Sequence, residues 1–223
     1  MNLALFDLDG TLIPKDSDHA FGELVIALGW ADADAFRRRN DGFYADYLDG
    51  RLDIEAYVDF ATSPWRDRPA AELAQATRRF CAEIVQPMLH PQALALVQRH
   101  REAGDLMAVV TATNDFVTRP IAAMFGVETL IATDLERDAA GRVTGRIAGT
   151  PSFREGKIAR VQAWLRARGR TLDDFATSTF YSDSTNDLPL LERVSAPVAT
   201  NPGPALDRIA RERGWPVLKL FET

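Results

Sequence analysis

Residues 3–12 read Leu3-Ala4-Leu5-Phe6-Asp7-Leu8-Asp9-Gly10-Thr11-Leu12. A short apolar run closed by glycine is the pattern of a strand buried on both faces, as in a parallel sheet. Here the run ends abruptly in two carboxylates, Asp7 and Asp9. In open α/β sheets, ligands bind just beyond the carboxyl ends of the strands. Two acids placed there, one residue apart, make a site that attracts a cation and carries the groups for acid and base chemistry.

Outward from that stretch the chain has two textures. From Pro14 to about Gln86 no strand pattern occurs, and apolar spacing predicts helices over 21–30, 33–48, 54–62 and 70–84. Asp18, Asp32, Asp53 and Pro69 are the corresponding start signals. Beyond His90-Pro91, expected helices over 91–102, 115–125, 153–168 and 205–213 alternate with strands over 106–110, 128–132, 178–182, 197–199 and 216–220. Alternation around Gly141 predicts a β-hairpin within 134–147. The expected fold is therefore α/β: a Rossmann-like parallel sheet with helices on both faces, plus a helical cap inserted after the first strand. The division is a catalytic core of residues 1–13 and 87–223 and a cap of residues 14–86.

The composition is that of an ordinary soluble protein, and 223 residues suffice for a substantial core. A net charge of −6 argues against non-specific binding to nucleic acid or to an anionic membrane. It leaves room for an anionic substrate, since a metal ion and one lysine reverse the field inside a pocket. The single cysteine, Cys81, precludes an internal disulfide and fits a reducing compartment. No apolar run reaches the ~20 residues that span a bilayer, so a cytoplasmic location is expected. Oligomeric state is not legible.

Three strands end in polar residues: at Asp7-Leu8-Asp9-Gly10-Thr11, at Thr111-Ala112-Thr113, and at Ser182-Asp183-Ser184-Thr185-Asn186-Asp187. Gly156-Lys157 opens the helix before the third. This ordered set of Asp-x-Asp, Thr, Lys and Asp-x-x-x-Asp resembles the haloacid dehalogenase superfamily of phosphohydrolases. The helical insertion after the first motif is similar to the subclass that holds phosphoserine phosphatases and some histidinol-phosphate phosphatases.

The resemblance implies a Mg²⁺-dependent phosphomonoester hydrolase. Asp7 would be the nucleophile that forms an aspartyl-phosphate, dividing one hard displacement into two easier ones. Asp9 would protonate the leaving group and then activate water. Mg²⁺ would be held by Asp7, the Asp9 carbonyl and Asp183, with Asn186 and Asp187 behind them. Thr111, Lys157 and the amides of Leu8 and Ala112 would cradle the phosphoryl oxygens. Asp16 stands where phosphoserine phosphatases carry a glutamate that meets the substrate amine. Their carboxylate-gripping arginine has no counterpart in Tyr57-Val58-Asp59-Phe60-Ala61, and Arg66 is displaced by several residues. An amino-alcohol phosphate such as histidinol phosphate therefore fits better than phosphoserine.

Each residue also has a structural reading. Acids at strand ends cap turns, Thr111 and Asp16 can cap helices, Asp187 can complement a helix N-terminus, and Lys157 can be a solvated helix residue. Arg37-Arg38-Arg39 reads as a solvated face, and His19, His90 and His100 lack metal-ligand spacing. Two other functional classes stay open: a receiver-like phosphorylatable signalling domain, and a non-catalytic binding protein on the same fold.

Overall fold

The first strand behaves as its composition requires. In the computed structural model, which describes residues 1–221, β1 (Leu3–Phe6) has all four side chains fully buried. It lies between β2 (Leu106–Asn114) and β6 (Ser178–Ser182), parallel to both. Leu3 and Leu5 point into one apolar cluster while Ala4 and Phe6 point into the other, as the two-residue period of a strand dictates.

With β3 (Leu130–Thr133), β7 (Ala196–Thr200) and β8 (Val217–Leu218), these strands form one six-stranded sheet in the order β3-β2-β1-β6-β7-β8. Every pairing in it is parallel. The chain builds outward from β1 in one direction and then in the other, so the carboxyl end of β1 lies at the topological switch point where such sheets bind ligands.

Helices cover both faces. The cluster holding Leu3 and Leu5 receives α7 (Glu155–Arg166), α8 (Leu188–Leu191) and α9 (Pro204–Arg213), through Val161, Leu165, Leu190, Leu191, Leu206 and Ala210. The opposite cluster receives α5 (Pro91–Glu102) and α6 (Asp115–Met124), through Leu96, Val97, Val117 and Ile121.

The helical block comprises α1 (Ser17–Ala27), α2 (Ala33–Leu48), α3 (Ile54–Thr62) and α4 (Ala70–Arg79). It continues through one π-helical and one 3₁₀ turn to Met88, two residues past the expected boundary. Its core joins that of the sheet, because Trp65 stacks on Phe116 of α6 at 4.3 Å between ring centroids. Phe21 meets Trp65, Phe80 and Phe116 edge-on. The expected hairpin is β4 (Leu135–Arg137) with β5 (Val143–Ile147), antiparallel and packed against α3.

Two expectations need correction. Asp16, not Asp18, starts α1: its backbone is extended and its carboxylate accepts from the His19 amide at 2.8 Å. Asp18 is thereby carried inside the first helical turn and buried. β2 also runs four residues past Val110, because its ladder to β3 resumes at Asn114 opposite Thr133 after a bulge. Polar residues end the apolar pattern there without ending the strand.

One side chain from the far end of the fold braces the first loop. Asn201 sits at φ +46°, a left-handed conformation that asparagine tolerates. Its amide nitrogen donates to the carbonyls of Gly10 (2.9 Å) and Thr11 (3.2 Å), while its Oδ1 accepts from the Leu220 amide. Asn201→Ala, which loses these bonds and keeps the unfavourable φ, is expected to cost about 2–4 kcal/mol of folding free energy in urea titration. Asn201→Gly should recover about 1 kcal/mol of that by relieving the backbone.

Candidate active site

Register brings the motifs together. Phe6 pairs with Val109 and with Tyr181, so Asp7 comes level with Val110 and Ser182, and Thr111 and Asp183 lie one residue further along. The Asp7 amide still donates to the Tyr181 carbonyl at 2.9 Å. The chain then coils tightly: the amides of Thr11, Leu12 and Ile13 all converge on the Leu8 carbonyl. Gly10 makes this turn at φ +74°, and a Cβ there would lie 2.3 Å from Asp183 Oδ2. Only glycine lets the first loop approach the third motif so closely.

Two polar networks result. In the first, the Lys157 ammonium, 3% exposed, donates to Asp7 Oδ1 at 2.9 Å and to Asp187 Oδ2 at 2.8 Å. Ser182 Oγ donates to the same Asp187 oxygen at 2.7 Å. Burial alone would lower the Lys157 pKa, but Asp187 and Asp7 outweigh it and keep the group charged. Burial likewise raises Asp7 to about 6, against the pull of Lys157 and of the Leu8 amide. Thr11 Oγ1 lies 3.2 Å from Asp7 Oδ2 and 3.3 Å from Asp183 Oδ1 and accepts from the Asp183 amide, tying β1 to β6.

In the second network, Asp9 Oδ1 accepts from the Ser17 amide at 2.7 Å and Asp9 Oδ2 from Thr113 Oγ1 at 2.9 Å. No ammonium touches it. Burial, the nearby Asp16 and Asp7 push its pKa well above the ordinary carboxylate value. The two acids of this loop therefore sit in opposed environments, one against a cation and one against neutral donors.

The residues fit a hard divalent cation. Asp7 and Asp183 converge on Thr11, and burial together with Asp7 and Asp187 pushes Asp183 well up. Lys157 pulls the other way but does not offset them, the condition of a cluster with more carboxylates than cations. Asp9 turns its carboxylate away to Ser17 and Thr113, which leaves its backbone oxygen as the group it can offer. Accordingly, among the described residues no three acidic, histidine or cysteine side chains gather around one point. Two carboxylates plus backbone oxygen suit Mg²⁺, which takes few protein ligands and retains water.

The structure brings Asp7, Asp9, Thr111, Lys157, Asp183 and Asp187 to one sheet edge. Thr111 is 1% exposed and its oxygen accepts from the Thr113 amide at 3.2 Å. Asn186 instead faces the helical block, donating to the Tyr47 carbonyl at 3.3 Å and accepting from Arg154 Nε at 3.4 Å. Asp16 is exposed and occupied as a helix cap. Arg66 pairs with Asp59. Sequence reading gave no role to Thr113, Ser17, Ser182 or Asn201. For Thr113 a signal existed, since it stands two residues beyond Thr111 in the same polar strand end.

It also missed Asp18, Asn114 and Tyr57. Asp18, 9% exposed, accepts from Asn114 Nδ2 at 3.2 Å and faces the Tyr57 phenol of α3. Burial, aided by Asp16, raises it to about 7.

A match to the model of the haloacid dehalogenase-like hydrolases spans residues 4–192. The chain belongs to this family and is a hydrolase, which displaces the receiver-like alternative. It is 48% identical over 217 residues to a histidinol-phosphatase of Neisseria meningitidis serogroup C, covering 97% of this chain and 98% of that one. It is 51% identical to a protein of unknown function from Bordetella pertussis Tohama I whose crystal structure superposes with a TM-score of 0.92, covering 99% of both chains. A substrate-bound phosphoserine phosphatase shares the fold at 18% identity and a TM-score of 0.66, covering 97% of this chain and 91% of that one. Among the described residues no helix is long and apolar enough to cross a membrane.

Asp18 gives a stability prediction. It holds a proton to about pH 7 when folded but ionises near 3.8 when unfolded. Folding stability therefore falls as pH rises through that window and stays reduced above it. Asp18→Asn, nearly isosteric and able to keep both neighbours bonded, should be more stable than wild type at pH 8 by on the order of a few kcal/mol. The difference should vanish near pH 4. Urea melts across pH check this, and a destabilised variant at pH 8 would contradict it.

Proposed function

We propose that this hydrolase cleaves small phosphomonoesters through an aspartyl-phosphate on Asp7, with Mg²⁺ as its cofactor, and that an amine-bearing ester is its substrate. The observation that carries the reading is the contrast between two neighbouring acids, Asp7 bonded to the Lys157 ammonium and Asp9 bonded only to neutral donors. Acids whose surroundings separate their proton affinities divide nucleophilic from acid–base work.

Asp7, Asp183 and the Asp9 carbonyl are the groups that would hold Mg²⁺, which supplies charge neutralisation between the nucleophile and the phosphoryl oxygens. Lys157 orients the Asp7 carboxylate for attack and offers positive charge to those oxygens as they develop charge. Asp187 and Ser182 fix the ammonium in turn. Thr111, with the amides of Leu8 and Ala112, completes the cradle. Asp9 enters protonated and gives its proton to the departing alkoxide. The resulting carboxylate then takes a proton from the water that opens the acyl phosphate. Ser17 and Thr113 hold it in place for both steps.

The helical block of residues 14–86 acts as the cap that encloses the non-reacting end of the ester. The relative named histidinol-phosphatase, at 48% identity over nearly its whole length, supports histidinol phosphate over phosphoserine. So does the pairing of Arg66 Nη1 with Asp59, which offsets the charge that this arginine could bring to a substrate carboxylate.

Phosphate release from a panel including histidinol phosphate and phosphoserine, with Mg²⁺ or with chelator, tests the reading. Release should require Mg²⁺ and favour histidinol phosphate, and failure on every ester would refute it. Asp7→Asn should retain the fold and lose more than about 10³-fold in kcat, since an amide is a poor nucleophile. Asp9→Asn should lose about 10²–10⁴-fold on alkyl phosphates. Its loss on p-nitrophenyl phosphate should be smaller, because that leaving group needs little protonation.

A further inference from the structure

We propose that Asp18, Tyr57 and Asn114 form a subsite that binds the cationic, non-reacting end of the substrate, an ammonium or imidazolium group. The proposal rests on the phosphomonoesterase reading and deepens it.

Asp18 is a buried carboxylate without a cation. It accepts from Asn114 Nδ2 at 3.2 Å and faces the Tyr57 phenol, and the nearest charge on it is Asp16, of like sign. No lysine, arginine or histidine acts on it from α1, from α3, or from the junction of β2 with α6. The other buried acids that bond across the fold are matched by cations, Asp7 and Asp187 by Lys157 and Asp115 by Arg137. A carboxylate kept from water with only neutral donors is costly to hold ionised. As a purely structural acceptor for Asn114 it would be served as well by an amide.

A second observation points the same way. The Ser17 hydroxyl, 1% exposed, lies beside the Asp9 carboxyl yet makes no hydrogen bond of normal geometry. Buried hydroxyls are rarely left so. It stands between the catalytic acid and Asp18 in the chain, and a bound donor reaching toward Asp9 would satisfy it.

Tyr57 links the two regions. It comes from α3 of the helical block, is half-buried, and feels the carboxylates of Asp18, Asp16 and Asp9 together. Ser17 and Thr113, which bond Asp9, each immediately precede a member of the Asp18–Asn114 pair, so Asp18 lies close to the proton-transferring acid. The site thus has two ends of opposite demand: Lys157, beside Asp7, takes phosphoryl oxygens, and the Asp18–Tyr57 end takes positive charge. An ester with phosphate at one end and a cation a few bonds away meets both. Asp16, already capping α1 and exposed, forms the outer rim.

The test compares kcat/KM for histidinol phosphate (ammonium and imidazole), O-phosphoethanolamine (ammonium alone) and glycerol 1-phosphate (no cation). Wild type should prefer the cationic esters. In Asp18→Asn the preference over glycerol 1-phosphate should fall at least tenfold, mainly through KM. A fall confined to histidinol phosphate would assign the imidazolium to Asp18, and a fall for both cationic esters the ammonium. Inhibition of p-nitrophenyl phosphate hydrolysis by histidinol gives a binding readout, and its Ki should rise tenfold in the variant. Tyr57→Phe, which keeps the ring and removes the hydroxyl, should lower the preference about threefold and serves if Asp18→Asn does not fold. Equal losses on all three esters, or an unchanged histidinol Ki, would overturn the subsite while leaving the phosphatase reading intact. Absence of hydrolysis of any ester by wild type would instead refute that reading.

Discussion

The buried ammonium of Lys157 is the contact on which the catalytic edge depends. It joins three elements that are remote in sequence: the loop after β1 through Asp7, the loop after β6 through Asp187, and the first turn of α7. Removing the ammonium would leave both carboxylates uncompensated in a dry site, a loss that typically costs about 3–5 kcal/mol. Its placement is demanding. Gly156, just before it, packs so closely on the Pro151 carbonyl that a Cβ would lie 2.0 Å from that oxygen. Arg154, at φ +52°, holds the chain in a conformation that few side chains adopt, immediately before the helix begins. The backbone entering α7 is thus bent to deliver one lysine.

That lysine also explains how two acids of one loop come to differ. Asp7 and Asp9 are both withdrawn from water, and burial raises both. What separates them is the partner: an ammonium for Asp7, a backbone amide and a hydroxyl for Asp9. A single positive side chain, placed on one side of the loop, gives the two acids different surroundings without any difference in residue type. The remaining excess of carboxylates, centred on Asp7 and Asp183, is what a divalent cation would balance.

The candidate site was legible as a cluster because it is encoded by strand ends, which an apolar pattern marks directly. Asp7, Thr111 and Asp183 follow from where three buried runs stop, and the parallel register then brings them side by side. The error at α1 has a physical cause. Asp16-Ser17-Asp18 offers two competing caps, and the apolar period, first evident at Phe21, favours the later one. The earlier aspartate captures the His19 amide and winds Asp18 inward. Tyr57 and Asn114 were illegible for a different reason. Each looks ordinary in its own segment, and they acquire meaning only where α3 and the end of β2 meet Asp18 in space.

The helical block touches both halves of the chemistry. The end of α2 rests on the loop that carries Asp183 and Asp187: the Tyr47 hydroxyl bonds Ser184 Oγ, and the Tyr47 carbonyl accepts from Asn186. Arg154 reaches across from the core to the Gly50 carbonyl and to Asn186. Through Tyr57, α3 stands near the acid–base residue. Interactions made across a closing interface are strongest when water is excluded from it. In the proposed binding mode, a substrate long enough to engage Tyr57 and Asp18 while its phosphate reaches Asp7 would complete an enclosure that a truncated ester leaves open. On the proposed reading, α3 would join recognition at the cationic end to the loop that carries Asp9, and binding energy from the non-reacting end would be expressed chiefly in affinity.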